Sequence, residues 1–276
     1  MKNVLLLLPG AFSGYGGIEM YNRQLIRAFL EIGLEQGFAV KALALNDDPA
    51  DVDDRYIPAG ADRPRGFKRK KGLFAVEGVR AVLSEGPDLV VFGHVHFARL
   101  GRLLKRLSPA SRHWYVVYGI EVWHPLSKAI RRGLAEAERV LSISDFSRKE
   151  LAKNGDVPES RINLLPCALD AVWQEKQTAR VDEVRSGSPT VLTVARLAAA
   201  EGYKGVDTVI RALPGVRRRV PDVVYEVVGD GDDRPRLEEL ARQIGVADSV
   251  RFLGRLGEDA LAAAYARCSV FAMPSE

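Results

Sequence analysis

The chain has 276 residues, long enough for one large domain or two ordinary ones. With 47% hydrophobic and 28% charged residues it has the make-up of a folded globular protein, which excludes a disordered or fibrous chain. A net charge of +4 with no aromatic–basic RNA-recognition motif argues against a nucleic-acid binder. Only two cysteines, Cys167 and Cys268, occur, which excludes a disulfide framework and points to a reducing, cytoplasmic setting.

The opening "MKNVLLLLPGAF" has one lysine and an apolar run of only Val4 to Leu8, so it reads as a buried first strand rather than a signal peptide. No stretch approaches the ~18 apolar residues of a membrane span. Strands are predicted at Asn3–Leu8, Val40–Leu45, Asp88–Gly93, Trp114–Gly119, Arg139–Ser144 and Arg161–Pro166. Helices at Gly17–Gln36, Phe74–Ser84, Arg99–Leu107, Ser127–Glu138 and Phe146–Lys153 fall between them. Continuous apolar strands separated by helices call for a parallel sheet covered on both faces, a doubly wound α/β unit.

The rhythm breaks after Pro166. Residues 168–189 are charged, lack a strand pattern and end on Ser-Gly-Ser-Pro, as an interdomain linker would. The alternation then restarts with strands Thr190–Ala195, Val223–Asp230, Val250–Gly254 and Val270–Met273, and helices Lys204–Arg219, Arg234–Ile244 and Glu258–Arg267. The expected fold class is therefore α/β, with two Rossmann-like doubly wound domains, residues 1–167 and 190–276, and a cleft between them. The second unit is shorter and ends just after a buried strand. This leads to the expectation that the second domain is incomplete and that a C-terminal part is missing.

Ligands of open α/β sheets bind beyond the carboxyl ends of the strands. The first strand exits into "PGAFSGYGGIE", where Gly10, Gly14, Gly16 and Gly17 let backbone and a helix N-terminus approach an anion. A dinucleotide fingerprint fails here, because Glu19 stands where its third glycine belongs, although Asp47 is placed to serve a ribose. Glu121, beside Trp123 and His124, is an acid suited to sugar hydroxyls. Ser144 or Asp145 reads as the N-cap of the next helix. His94 and His96 stand two apart at a strand end, without the third ligand that a metal site needs. The run "DRPRGFKRKKG" holds Arg63, Arg65, Lys68, Arg69, Lys70 and Lys71, a solvated loop or a contact for anionic headgroups.

In the second unit Arg196 closes the first strand and Lys204 opens the next helix. A Gly-Asp-Gly turn at Gly229–Gly231 ends the second strand, and Gly254 ends the third. A diphosphate bound without a metal needs compensating cations. An arginine fork and a mobile lysine supply them, at about 1.5–3 kcal/mol for each charge-assisted contact.

The chain resembles the retaining, sugar-nucleotide-dependent GT-B glycosyltransferases of family 4 along essentially its whole length. The motifs that carry the resemblance are "GYGGIE", "YGIEVW", "ISDFSRKEL", "LPCALD", "VARL" with "YKGVDTVIRAL", "VVGDGDDRPRLEELA", "VRFLGRL" and "YARCSVFAMPS". The resemblance implies an N-terminal acceptor domain and a C-terminal donor domain. It assigns Arg196 and Lys204 to the donor diphosphate as it leaves, and Glu121 to catalysis as the acid of the family's His-Gly-x-Glu/Asp stretch. Gly16, Gly17, Gly231, Phe252 and Gly254 go to donor binding, and Glu19 and Tyr118 to acceptor binding.

Three departures stand out. Tyr118 replaces the family's usual histidine, the loop from Arg196 to Lys204 is longer than usual, and Glu276 falls one step before the family's first donor-site glutamate. The chemistry implied is transfer with retention, the acceptor attacking from the face the diphosphate leaves, with no metal, no cofactor and no protein nucleophile. The donor would be a UDP-, GDP- or ADP-sugar and the acceptor a glycan or a lipid-linked glycan. The protein would be cytoplasmic, with peripheral membrane contact through Arg63–Lys71. The 276 residues alone are expected to turn over little or no donor. The other readings are a non-catalytic nucleotide- or sugar-binding protein that keeps the fold, and an NAD-dependent oxidoreductase, which the broken glycine fingerprint disfavours.

Overall fold

The computed structural model describes residues 2–14, 16–169 and 187–275. The chain divides into two compact units, Met1–Ala168 and Leu169–Glu276. Most of the predicted linker, residues 170–186, lies outside the described residues.

The first unit carries strands β1 (Asn3–Leu8), β2 (Ala39–Ala44), β3 (Arg65–Gly66), β4 (Leu89–Phe92), β5 (Arg112–Val117), β6 (Arg139–Ser142) and β7 (Ile162–Leu164). Its helices are α1 (Gly17–Gln36), α2 (Lys71–Glu85), α3 (Ala98–Leu107), α4 (Lys128–Ala135) and α5 (Asp145–Asn154). All seven strands are parallel in the order β3-β2-β1-β4-β5-β6-β7, so the strand order reverses between β1 and β4.

β1 shows why the apolar run is continuous. Side chains alternate across a strand. Leu5 and Leu7 therefore join the core beneath α2 and α3, with Phe74, Val82 and Leu104. Val4, Leu6 and Leu8 join the opposite core against Leu25, Ile26 and Leu30 of α1. A strand covered on both faces has no polar side to present. Cutting Leu6, which is fully buried, back to alanine would cost about 2–5 kcal/mol.

β3 was not legible in the sequence. Arg65 and Gly66, within the basic run read as a loop, pair with Leu43 and Ala44 of β2 at the sheet edge. Two residues are too few to show a period, and the pairing comes entirely from the neighbouring strand. His94 and His96 follow the end of β4 as expected, His94 as the N-cap of a 3₁₀ turn that contains His96, with the His94 Nδ1 accepting the His96 backbone N–H at 3.2 Å.

The second unit is a parallel four-stranded sheet in the order β10-β9-β8-β11, formed by β8 (Thr190–Val194), β9 (Val224–Val228), β10 (Val250–Gly254) and β11 (Val270–Phe271). Helices α6 (Val206–Arg217), α7 (Arg234–Gln243) and α8 (Glu258–Arg267) cover it. Leu213, Tyr225, Val227 and Leu237 are central to its larger core. The order again reverses beside the first strand of the unit, between β8 and β11. The helix expected from Lys204 begins only at Val206. Residues Ala199–Lys204 form 3₁₀ turns, and Gly205 at φ 73° takes the left-handed conformation that separates them from α6.

Candidate functional site

In the first unit the exit of β1, residues 9–14, is shaped by Asp47. This carboxylate is 1% exposed and accepts the backbone N–H groups of Ala11 (2.9 Å), Phe12 (3.0 Å) and Ser13 (3.2 Å). It therefore has no part left for a ribose, which corrects the expectation. Three backbone donors bound by one buried carboxylate hold the glycine loop in place. Arg23 braces the loop from α1 by donating to the carbonyls of Ala11 and Gly14. Gly16 is the N-terminal flank of α1 and carries no side-chain cap. The Glu19 side chain folds back over Gly14 and Gly16, leaving little room for a methyl group at either, while Gly17 has open space around it. The carboxylate thus lies at the helix N-terminus, where it complements the dipole.

At the exit of β5, Glu121 turns back on its own chain. Its two oxygens accept the backbone N–H groups of Tyr118 (2.5 Å) and Gly119 (2.9 Å). The Tyr118 hydroxyl donates to the Asn22 Oδ1 at 2.8 Å, and the Asn22 amide donates to the Gly10 carbonyl at 2.7 Å. This chain of bonds ties the β5 exit to the β1 exit at the point where the strand order reverses. Burial raises the Tyr118 phenol well above its ordinary pKa and keeps it protonated. The His94 ring lies 6.2 Å from that of Tyr118 and 4.3 Å from that of His96. Burial, then the neighbouring His96, lowers the His94 pKa, which favours the neutral ring. Among the described residues no three His, Cys, Asp or Glu side chains gather to hold a metal ion.

The basic run splits into two halves. Arg63 pairs with Asp54 (3.0 Å), Arg65 with Glu77 (3.2 Å) and Lys68 with Asp48 (2.7 Å). Arg69, Lys70 and Lys71 are exposed at the start of α2 and have no acidic partner among the described residues.

In the second unit the structure brings Arg196 and Lys204 to one carboxylate. Glu201 Oε1 lies 3.3 Å from the Arg196 guanidinium, and Oε2 lies 2.5 Å from the Lys204 ammonium. The longer loop therefore does not separate the two cations. It folds through the 3₁₀ turns and returns Lys204 to the mouth of β8. Leu197, Asp207, Asp233, Arg236 and Leu237 line the same pocket. Asp233 holds Arg236 through a fork of two bonds, at 2.6 and 2.7 Å.

Gly231 proves to be a glycine for a packing reason. A Cβ there would stand 2.1 Å from the Leu197 carbonyl oxygen, so only glycine lets the β9 exit touch the β8 exit. The Leu197 backbone N–H donates to the Asp230 carbonyl (3.1 Å), and the Asp233 backbone N–H donates to the Leu197 carbonyl (2.9 Å). Arg196 is the residue just before this clamp. Phe252 lies beneath the Arg234 guanidinium, 5.7 Å from the ring centre, and the Gly254 carbonyl accepts the Gly229 N–H at 2.7 Å.

The sequence pointed to the two cations and to Asp47, whose task proves to be the loop backbone, but not to Glu201 or to the contact of Arg234 with Phe252. Glu201, three residues before Lys204, was the one with a local signal.

Two Rossmann-like units, each with polar groups at the carboxyl ends of its strands, define the GT-B class of fold. Residues 15–173 match the family model described as Glycosyltransferase Family 4, and residues 188–276 match that described as Glycosyl transferases group 1. The chain belongs to Glycosyltransferase Family 4.

It is 34% identical over 204 residues to the GDP-mannose-dependent alpha-(1-6)-phosphatidylinositol monomannoside mannosyltransferase of Mycobacterium tuberculosis, covering 71% of this chain and 52% of that one. It is 30% identical over 161 residues to the alpha-D-kanosaminyltransferase of Streptomyces kanamyceticus, covering 56% and 41%. The chain thus spans about half the length of the curated relatives it matches. The fold matches the crystal structure of Anabaena Alr3699/HepE in complex with UDP and glucose, with a TM-score of 0.71 and 17% identity over 100% of this chain and 74% of that one.

Proposed function

We propose that the chain is part of a retaining glycosyltransferase that moves a sugar from a nucleoside-diphosphate sugar to a glycan or lipid-linked acceptor. The observation that carries this reading is the meeting of Arg196 and Lys204 on one carboxylate beyond the exit of β8, the strand beside which the second sheet reverses its order. An anion that takes the place of this carboxylate meets two cations, which offset the charge of a diphosphate without a metal in this reading. The bond from the anomeric carbon to the phosphate oxygen breaks, and the diphosphate leaves with the electron pair. The acceptor hydroxyl attacks from the same face, forming the new glycosidic bond as its proton passes to the departing phosphate oxygen.

Gly16 and Gly17, at the N-terminus of α1, suit an approach to the donor phosphates, and Gly231, Phe252 and Gly254 a contact with the nucleoside. Glu19 and Tyr118 are the acceptor-side groups. Glu121 acts by holding the Tyr118–Gly119 backbone, because both its oxygens are bound there. The name of the M. tuberculosis relative makes GDP-mannose the first donor to test and an inositol phospholipid the first acceptor. A lipid acceptor agrees with the exposed cations Arg69, Lys70 and Lys71, which face anionic headgroups in this reading.

The test is titration of GDP, UDP and ADP by calorimetry against wild type, Arg196→Ala and Lys204→Ala. The Lys204 side chain is 22% exposed and that of Arg196 is 65% exposed, so solvent screens the arginine more. Lys204→Ala is expected to weaken binding by about 100-fold and Arg196→Ala by about 10-fold, from roughly 3 and 1.5 kcal/mol. If both variants bind all three nucleotides as wild type does, the diphosphate assignment is wrong.

A further inference from the structure

The pocket around Arg196 and Lys204 is already electrically complete. Its cations are Arg196, Lys204 and Arg236, and its carboxylates are Glu201, Asp207 and Asp233. The three acids are not equally fixed. Asp233 is 7% exposed and grips Arg236 with both oxygens. Asp207 sits 4.0 Å from Arg236, at the first turn of α6. Glu201 is different. It stands on the 3₁₀ segment at the one residue whose backbone leaves helical geometry (φ −113°, ψ 23°). From there a long, three-rotor side chain reaches the two cations that the proposed diphosphate needs, one with each oxygen.

We propose that Glu201 is a built-in substitute for the donor diphosphate: its carboxylate bridges Arg196 and Lys204, and a nucleoside diphosphate reaches them only by displacing it. The inference rests on the reading of these two cations as the diphosphate site and adds a residue that sets how tightly that site holds its ligand. A carboxylate offers two oxygens in a fork, as a phosphate edge does, and satisfies the same guanidinium and ammonium donors. Because the substitute is tethered three residues from Lys204, it competes at a high effective concentration. It also returns to the cations as a diphosphate departs, so Glu201 speeds product release at the expense of affinity. A neutral side chain of the same shape keeps the packing and removes the competitor.

The experiment measures binding of GDP, UDP and inorganic diphosphate to the full chain. The variants are Glu201→Gln, Glu201→Asp, Arg196→Ala with Lys204→Ala, and that double variant carrying Glu201→Gln. Thermal melts of each confirm folding. The expected result is that Glu201→Gln tightens inorganic diphosphate and the preferred nucleotide at least fivefold, with slower dissociation by stopped flow. Glu201→Asp, which keeps the charge but is one methylene shorter, should fall between wild type and Glu201→Gln. In the double-alanine background Glu201→Gln should change nothing, because the cations it competes for are gone. Equal or weaker binding by Glu201→Gln would overturn the proposal and show that Glu201 only positions the two cations. Tightening that persists in the double-alanine background would overturn it too, as a general effect of removing a negative charge. A double-alanine variant that binds like wild type would instead overturn the diphosphate reading itself.

Discussion

The contact between the β8 and β9 exits makes a sharp prediction about one methyl group. In Gly231→Ala the new Cβ would lie 2.1 Å from the Leu197 carbonyl oxygen and 2.9 Å from the Ala198 nitrogen. Both are backbone atoms, so no side chain can swing aside, and the oxygen must retreat by about an ångström to reach even a tight contact. Overpacking of this kind costs about 1–3 kcal/mol. The retreat also stretches the two backbone hydrogen bonds that bind Leu197 to Asp230 and Asp233, worth about 1 kcal/mol each. A loss of about 2–4 kcal/mol is expected, since strain and lost bonds partly replace one another. Gly215→Ala is the control. Position 215 lies inside α6, and its added Cβ meets only the Arg218 guanidinium, at 3.6 Å. There the same substitution removes a helix-weakening glycine and should stabilise by about 0.5–1 kcal/mol. Urea unfolding followed by circular dichroism gives both numbers, and amide exchange at Leu197 and Asp233 reports the clamp directly. If Gly231→Ala is as stable as wild type with both amides still protected, the close approach of the two exits is not what this glycine serves.

Two further outcomes follow from the first unit. His113 is 2% exposed and its Nε2 lies 3.1 Å from the Ser111 hydroxyl. Burial first, then the nearby Lys105, pushes the His113 pKa down to about 4 from an ordinary 6.5. The unfolded chain therefore takes up this proton first as pH falls. The stability contributed by the neutral ring is full above pH 6.5 and drops by about 3 kcal/mol by pH 4. Comparing unfolding free energies of wild type and His113→Gln across that window checks the slope, and parallel curves would refute it. The second concerns Arg69, Lys70 and Lys71. Replacing all three with glutamine should weaken binding to vesicles containing phosphatidylglycerol by about 100-fold at low salt, at about 1 kcal/mol per cation. The same change at the paired Arg63, Arg65 and Lys68 should matter less. Vesicle binding indifferent to salt and to all six substitutions would end the membrane reading.

Much of this architecture is written locally. Alternating apolar runs and helical stretches revealed two parallel α/β units, because a strand covered on both faces must be apolar at every position, as Val4–Leu8 is. Arg196 and Lys204 stood out for a similar reason, as charges placed where a buried strand ends. The chain order alone also carried the family resemblance. What the tertiary structure decided lies in meetings between residues far apart in sequence. Asp47 binds the backbone of Ala11, 36 residues earlier. The Gly231 backbone rests on Leu197, and β3 exists only because β2 offers it an edge. None of these leaves a periodic trace, since a close approach is a property of two segments and is encoded in neither. Glu201 lies between these cases. Its spacing from Lys204 is visible in the sequence, but only the folded turn shows that the same carboxylate also reaches Arg196. An ion pair needs two side chains to arrive at one point in space, and that point is set by the fold.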